Sequence, residues 1–287
     1  MSGIHNVHHA VHAAWSMANS GFNFAPVIAA NTTNYNLKSA AIAAGWDQVK
    51  PLNATITINA GVAVGSTSTS TYAFDTGTSF PTGSTLAIIN NGYIVGAGGQ
   101  GGNASSTNGA VGGPALRAQV PISITNNGTI GGGGGGGGGG QGLGYNSVDG
   151  YGNVTATYTS GGGGGGGGAG YNGGGGGSIT HGNYAGIRYG TAGGAGTTTA
   201  GGGGGSSDYG TNSPNSYMQG GPGGSGGALG AAGGSGGGGG YAGEAGWYGG
   251  PTFVWYNATS GGAGGAAVVG NANITWIATG TRAGSIS

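Results

Sequence analysis

The 287-residue chain carries five Lys/Arg, five Asp/Glu and no formal net charge, so that only 3% of it is charged, against about 25% in ordinary soluble domains. Five scattered cations cannot neutralise a row of phosphates, which excludes nucleic acids and anionic membrane surfaces as partners. The lack of cysteine excludes disulfides and thiolate metal sites, and no apolar run reaches the ~20 residues of a membrane span.

The opening stretch MSGIHNVHHAVHAAWSMANS has neither Lys/Arg nor an unbroken apolar core. It does not read as a secretory signal, and release by lysis or inside a particle is the expectation. A helix is predicted over about 5–18. His5, His8 and His12 fall on one face of it, with His9 adjacent, a spacing suited to zinc or, in a homotrimer, to an axial ion. With no Asp, Glu or Cys nearby, a metal-free docking helix is expected, and no cofactor is assigned. A second helix begins at Asn36 as N-cap, runs through LKSAAIAAG and stops at Gly45. Residues 1–53 therefore read as a helical attachment segment.

From residue 54 the texture changes to alternating β-branched runs: ATITINAGVAVGS (54–66), TLAIINNGYIVGAGG (85–99), ISITNNGTIGGGGG (122–135) and AAVVGNANITWIATG (266–280). Each is a strand followed by an Asn/Gly turn and a second short apolar run, the signature of a repeated rung. A β base made of 54–95, 114–130 and 266–287 is predicted, interrupted by a glycine-rich insertion over 96–265.

All but ten of the 82 glycines lie between residues 92 and 265. They form ten segments, at 96–102, 109–113, 131–140, 161–168, 173–177, 193–196, 201–205, 220–227, 233–240 and 261–265. If the chain runs up one segment and down the next, the connections 103–108, 141–160, 178–192, 206–219 and 241–260 fall at one end. The short AGYN, TTTA and ALGAA turns and the rung 114–130 then fall at the other. A disordered linker has no reason to sort its connections in this way, so the glycine is read as ordered. An extended glycine helix has three residues per turn and rises about 3.1 Å per residue, leaving every N–H and C=O free to pair sideways. Ten such residues reach about 31 Å. Because glycine loses the most backbone entropy on ordering, nearly every group must be paired, which calls for a compact, many-stranded bundle. The expected fold is thus mostly irregular and β, with N-terminal helices, a small β base, and about ten polyglycine II helices bearing five long loops at the distal end.

Eleven of the fourteen tyrosines lie from residue 145 onward, and all of these but Tyr171 sit in the distal loops or at their edges. Tyr, Ser, Gly and Asn with an occasional Trp or Arg is the vocabulary of binding loops. The candidate receptor-binding residues are Tyr145, Tyr151, Tyr158, Tyr184, Arg188, Tyr189, Tyr209, Tyr217, Trp247, Tyr248, Trp255 and Tyr256. The alternative for WYGGPTFVWY (247–256) is that its rings pack on one another and close the bundle end.

Glycine segments joined by Tyr/Asn/Ser loops at one end resemble the distal glycine-rich adhesins of T-even-type phage tail fibres. NLKSAAIAAGWDQVKPLNATITINAGV (36–62) and ITNNGTIGGGGGGGGGG (124–140) are similar to glycine-rich tail-tip receptor-binding proteins of other tailed phages. The resemblance covers about 36–280. It implies a polyglycine II sandwich at the distal end of the virion tail, whose variable loops bind a host outer-membrane protein or surface glycan. It also implies attachment to another phage tail protein, here through residues 1–53, and no catalytic residues.

Enzymatic motifs are weak. Residues 223–227 and 233–237 satisfy G-x-S-x-G, which chance supplies in so glycine-rich a chain, and no lysine follows Lys50 to complete a phosphate-binding loop. Asp149, Asp208 and Glu244 could meet at the tip as a glycosidase pair, but acids in sequences such as VDGYG are the ordinary furniture of turns. Seven N-x-[ST] sequons, including those at Asn53, Asn127 and Asn257, follow from an Asn/Thr-rich composition. The rival functions are an ice-binding polyglycine protein, which requires flat faces of small side chains, and a structural fibre, which requires uniform repeats.

Overall fold

In LNATITI (52–58) every second side chain is buried and the intervening Asn53, Thr55 and Thr57 face outward, the alternation of a strand with one wet face. The same pattern recurs in each coil of a parallel β-solenoid. The computed structural model describes residues 21–148, 151, 153–179, 190–213, 216–242 and 252–287, and these contain five coils. The first holds β1 (Phe22–Phe24), β2 (Val27–Ile28), β3 (Thr32–Thr33) and β4 (Tyr35–Asn36). The second holds β5 (Leu52–Ile58), β6 (Ala63–Gly65) and β7 (Phe74–Asp75), and the third β8 (Thr85–Asn90), β9 (Tyr93–Val95) and β10 (Leu116–Arg117). The fourth runs through β11 (Ile122–Asn126), β12 (Thr129–Gly131) and, far along the chain, β19 (Val268–Val269). The fifth comprises β20 (Ile274–Ala278) and β21 (Thr281–Ala283).

Stacking in parallel builds three walls, ordered β1-β5-β8-β11-β20, β3-β6-β9-β12-β21 and β4-β7-β10-β19, with β2 also pairing β5. Register lines up Ile56, Ile88 and Ile124 in one column and Val64, Ile94 and Ile130 in another. All six are fully buried, each contributing about 1.5–3 kcal/mol relative to exposure. The corner after the first wall is pinned by amides. Buried Asn90 donates to Asn126 Oδ1 at 2.7 Å, and Asn126 donates to the Thr279 carbonyl at 2.7 Å.

The attachment segment differs from its sequence reading. Residues 22–36 are strands of the first coil, because runs of two or three residues too short to show a period find partners in β5 to β7. The base therefore begins at Phe22, not residue 54. Helix α1 (Leu37–Ala43) is the one α-helix among the described residues; Asn36 caps it by accepting from Ser39 N at 2.9 Å, and Gly45 leaves it at φ 99°. The helix expected over 5–18, with His5, His8 and His12, lies outside the described residues.

The glycine-rich chain grows directly out of two walls. Past β9 and β12 the ladder continues as Gly96 N to Gly131 O (2.9 Å) and Gly132 N to Ala283 O (3.0 Å); entering β10 and β19 it continues as Gly112 N to Ala263 O and Ala115 N to Ala266 O, both 2.9 Å. Along 131–141 the partner changes with every residue and returns every third. Gly133 and Gly136 donate to Gly113 and Ala110, Gly134 and Gly137 to Ala169 and Gly166, Gly135 and Gly138 to Ala231 and Gly234. The carbonyls repeat the pattern: Gly134 and Gly137 accept from Gly99 and Gly102, Gly135 and Gly138 from Gly227 and Gly224, Gly133 and Gly136 from Gly265 and Gly262. Segment 131–141 is thus ringed by six others. Segment 161–171 is ringed likewise, by 96–102, 131–141, 173–177, 191–197, 201–208 and 220–227.

These pairings also fix direction. Segments 96–102, 131–141, 173–177, 201–205 and 233–237 lead away from the base, and 109–113, 161–170, 191–197, 220–227 and 259–265 lead back. At the near end Tyr171 folds onto Gly65 of β6, where a Cβ would overlap its ring.

Two outcomes follow. A Cβ at Gly136 would fall on the Gln100 carbonyl oxygen, whereas at exposed Gly203 it meets no heavy atom within 4 Å. Gly136→Ala should cost at least about 3 kcal/mol, the upper end of ordinary overpacking, and Gly203→Ala should stay within about 0.5 kcal/mol; thermal unfolding of both variants checks this. Tyr35 packs on Phe74 with ring centroids 5.2 Å apart, and burial pushes its hydroxyl up to about 12. A folded value above the unfolded ~10 gives stability that is complete below pH 10 and lost as pH rises toward 12. Tyr35→Phe should flatten that alkaline limb, read as the unfolding midpoint against pH.

Candidate functional site

Where the outgoing glycine segments end, side chains return and the hydrogen-bond pattern changes. Polar residues at the borders of the glycine runs form a collar. Gln141 Oε1 accepts from Gly239 N at 2.7 Å, and Asn103 Oδ1 from Ser178 N at 2.8 Å. Thr259 Oγ1 accepts from Gly139 N at 2.6 Å and donates to Thr107 O at 2.7 Å. Buried Ser160 donates to Asp208 O at 2.9 Å and accepts from Gly220 N at 3.0 Å. Each short polar side chain takes over a backbone group that the next glycine segment no longer reaches.

Above the collar the loops, expected to be irregular, form two antiparallel sheets. One orders β14 (Val154–Ser160), β13 (Gly142–Val148) and β18 (Thr252–Tyr256); the other orders β15 (Tyr209–Ser213), β16 (Ser216–Gln219) and β17 (Gly240–Ala242). Period-2 alternation of Thr and Tyr in NVTATYTS and of aromatics in TFVWY is the signal that a strand reading could have used. Leu143 of β13 and Met218 of β16 are fully buried.

Register sets Tyr145 opposite Tyr158 on one side and Phe253 on the other. Tyr209 lies opposite Gln219, and Tyr217 lies between Thr211 and Ala242. Tyr151, in the turn between β13 and β14, is 93% exposed; Trp255 and Tyr256 are 48% and 47% exposed, and Val254 is exposed as well. Val254 and Tyr256 share a face with Gly144 and Gly142, their cross-strand partners. A Cβ at Gly144 would come within 3.4–3.5 Å of both side chains, so the glycines leave a low apolar shelf that the aromatic count alone did not reveal. Tyr184, Arg188, Tyr189, Trp247 and Tyr248 lie outside the described residues.

The shelf is uncharged, and Asp208 is the only charged side chain among the described residues of the loops. It is 3% exposed and accepts from Gly190 N at 3.2 Å, so it belongs to the collar. Asp149 and Glu244, its sequence-predicted partners, lie outside the described residues.

A parallel β-solenoid that extrudes glycine segments and carries aromatic loops at their far end defines a class of tip-presenting proteins. The chain belongs to the phage tail fibre adhesin Gp38 family, whose model matches residues 23–287. That match reaches back through the first coil, beyond the 36–280 expected from the resemblance. The chain is also similar to a solved structure, the gp37-gp38 adhesin tip complex of the bacteriophage S16 long tail fibre, at 22% identity and a TM-score of 0.51 over 92% of this chain and 82% of that one. No curated protein sequence matches it. The protein is accordingly a phage tail fibre adhesin, which attaches the virion to its host.

Ser160→Ala would remove the buried hydroxyl that bridges Gly220 N and Asp208 O and leave only their direct 3.2 Å bond, a loss of about 0.5–1.5 kcal/mol. Accelerated hydrogen exchange at Gly220 and its neighbours, with little change in the solenoid, would identify the collar as the joint between struts and loops.

Proposed function

We infer that the distal loops are the receptor-binding surface, and that the host ligand is an outer-membrane protein or a surface glycan. The observation that carries this reading is the exposure of Tyr151, Val254, Trp255 and Tyr256 in the loops, which hold no exposed charged side chain among the described residues. Large amphipathic rings with few rotatable bonds supply contact area at low entropic cost. Tyr145, Tyr158, Tyr184, Arg188, Tyr189, Tyr209, Tyr217, Trp247 and Tyr248 complete the candidate set. Binding of this kind requires no catalytic group.

The glycine segments are read as about ten polyglycine II helices packed as a sandwich. Support comes from the three-residue return of each hydrogen-bond partner along 131–141 and 161–171, which matches a helix of three residues per turn. Residues 1–53 are assigned to docking on another phage tail protein. Val27, Ile42 and Val49 of this segment are exposed, and the S16 structure is itself a complex of two tail-fibre proteins.

Trp255→Ala combined with Tyr256→Ala should weaken binding to host cells at least ~10-fold, about 1.4 kcal/mol, with the unfolding midpoint held. Raising NaCl from 50 to 500 mM should leave binding nearly unchanged, because little charge is available to screen. Unaltered host range after all five loops are exchanged with those of a related adhesin would overturn the assignment.

A further inference from the structure

Far from the tip, on the outer surface of the third wall, register brings together residues that are distant in sequence. Asn36, Asp75 and Arg117 are aligned across β4, β7 and β10, while their neighbours Phe74 and Leu116 point into the core. Arg117 Nη2 donates to Asp75 Oδ2 at 2.5 Å, and its guanidinium lies 4.6 Å from the centroid of the Tyr72 ring. With Asn34, Ser70 and Thr71 these side chains line a cavity of about 300 Å³, at the small end of ligand sites.

Three features define what could enter. Burial raises the Asp75 carboxyl, but the bonds from Arg117, Gly77 and Gln119 outweigh it and hold it below the usual carboxylate range, so the pair is ionised and the cavity is net neutral. Asp75 Oδ1 is occupied by Gly77 N (3.1 Å) and Gln119 Nε2 (2.8 Å), leaving Oδ2 with one further lone pair beside the arginine. Asn36 spends its oxygen on the helix cap, and among the described residues neither its Nδ2 nor Arg117 Nη1 has an acceptor. Acceptor and donors thus sit side by side, the complement of neighbouring hydroxyls that each donate and accept. A free anion would face the Asp75 carboxylate.

We propose that this cavity is a saccharide site that takes one neutral pyranose ring, its hydroxyls held by Asp75, Arg117 and Asn36 beside the Tyr72 ring. The site is independent of the distal loops. Saturation-transfer NMR of the full chain with glucose, galactose, mannose and N-acetylglucosamine in turn tests it. Transfer to at least one sugar is expected, with affinity reduced at least ~5-fold by Asn36→Ser, which keeps a capping oxygen, and by Tyr72→Leu. The Trp255→Ala/Tyr256→Ala protein should bind the same sugar normally. No transfer to any of the four, transfer unaffected by both cavity variants, or transfer abolished by the tip variant would each overturn the proposal.

Discussion

Backbone hydrogen bonds across the glycine segments require two peptide groups to meet where a side chain would ordinarily stand. Along 131–141 each N–H and each C=O points to a different neighbour in rotation, so no direction around the segment is free for a Cβ. A net gain of roughly 0.5–1.5 kcal/mol per bond stands against a backbone entropy cost of about 1–2 kcal/mol per residue. That balance is tolerable only with nearly complete pairing. It explains why 131–141 and 161–171 sit inside rings of six, and why a Cβ would find open space at outer positions such as Gly203 but a carbonyl oxygen at Gly136.

The solenoid and the bundle solve one problem by opposite means. In the solenoid, Ile and Val columns exclude water and the ladders run in sheets; in the bundle there is no apolar column, and the ladders run in all directions. The two are joined without a seam because wall strands β9, β12, β10 and β19 pass into glycine while keeping their pairing partners. A flexible hinge between base and tip would need a break in that ladder.

Much of this was legible in the sequence where a local pattern carries it. The β-branched alternation of β5, β8, β11 and β20, the Asn36 cap and the Gly45 stop all depend on neighbours in the chain. The direction of each glycine segment could be reasoned from the length and chemistry of its connections. The two- and three-residue strands β1 to β4, β7 and β10 could not be read, because only a partner thirty or more residues away makes them strands. The same holds for the site. The exposed Tyr151, Trp255 and Tyr256 announce themselves by composition. The shelf beside Gly142 and Gly144, the collar of Gln141, Ser160, Asp208 and Thr259, and the alignment of Asn36, Asp75 and Arg117 arise from cross-strand register.

An attached virion is pulled, and the glycine segments show how such a load would travel. Force applied at the loops runs along the segments, while their N–H···O bonds lie across them. Those bonds are therefore loaded in shear and together, not peeled one after another. Because the ladder passes unbroken into the solenoid walls, tension at the tip is delivered to the hydrophobic columns of the base. The construction that makes glycine conformationally expensive thereby resists being drawn apart along its length.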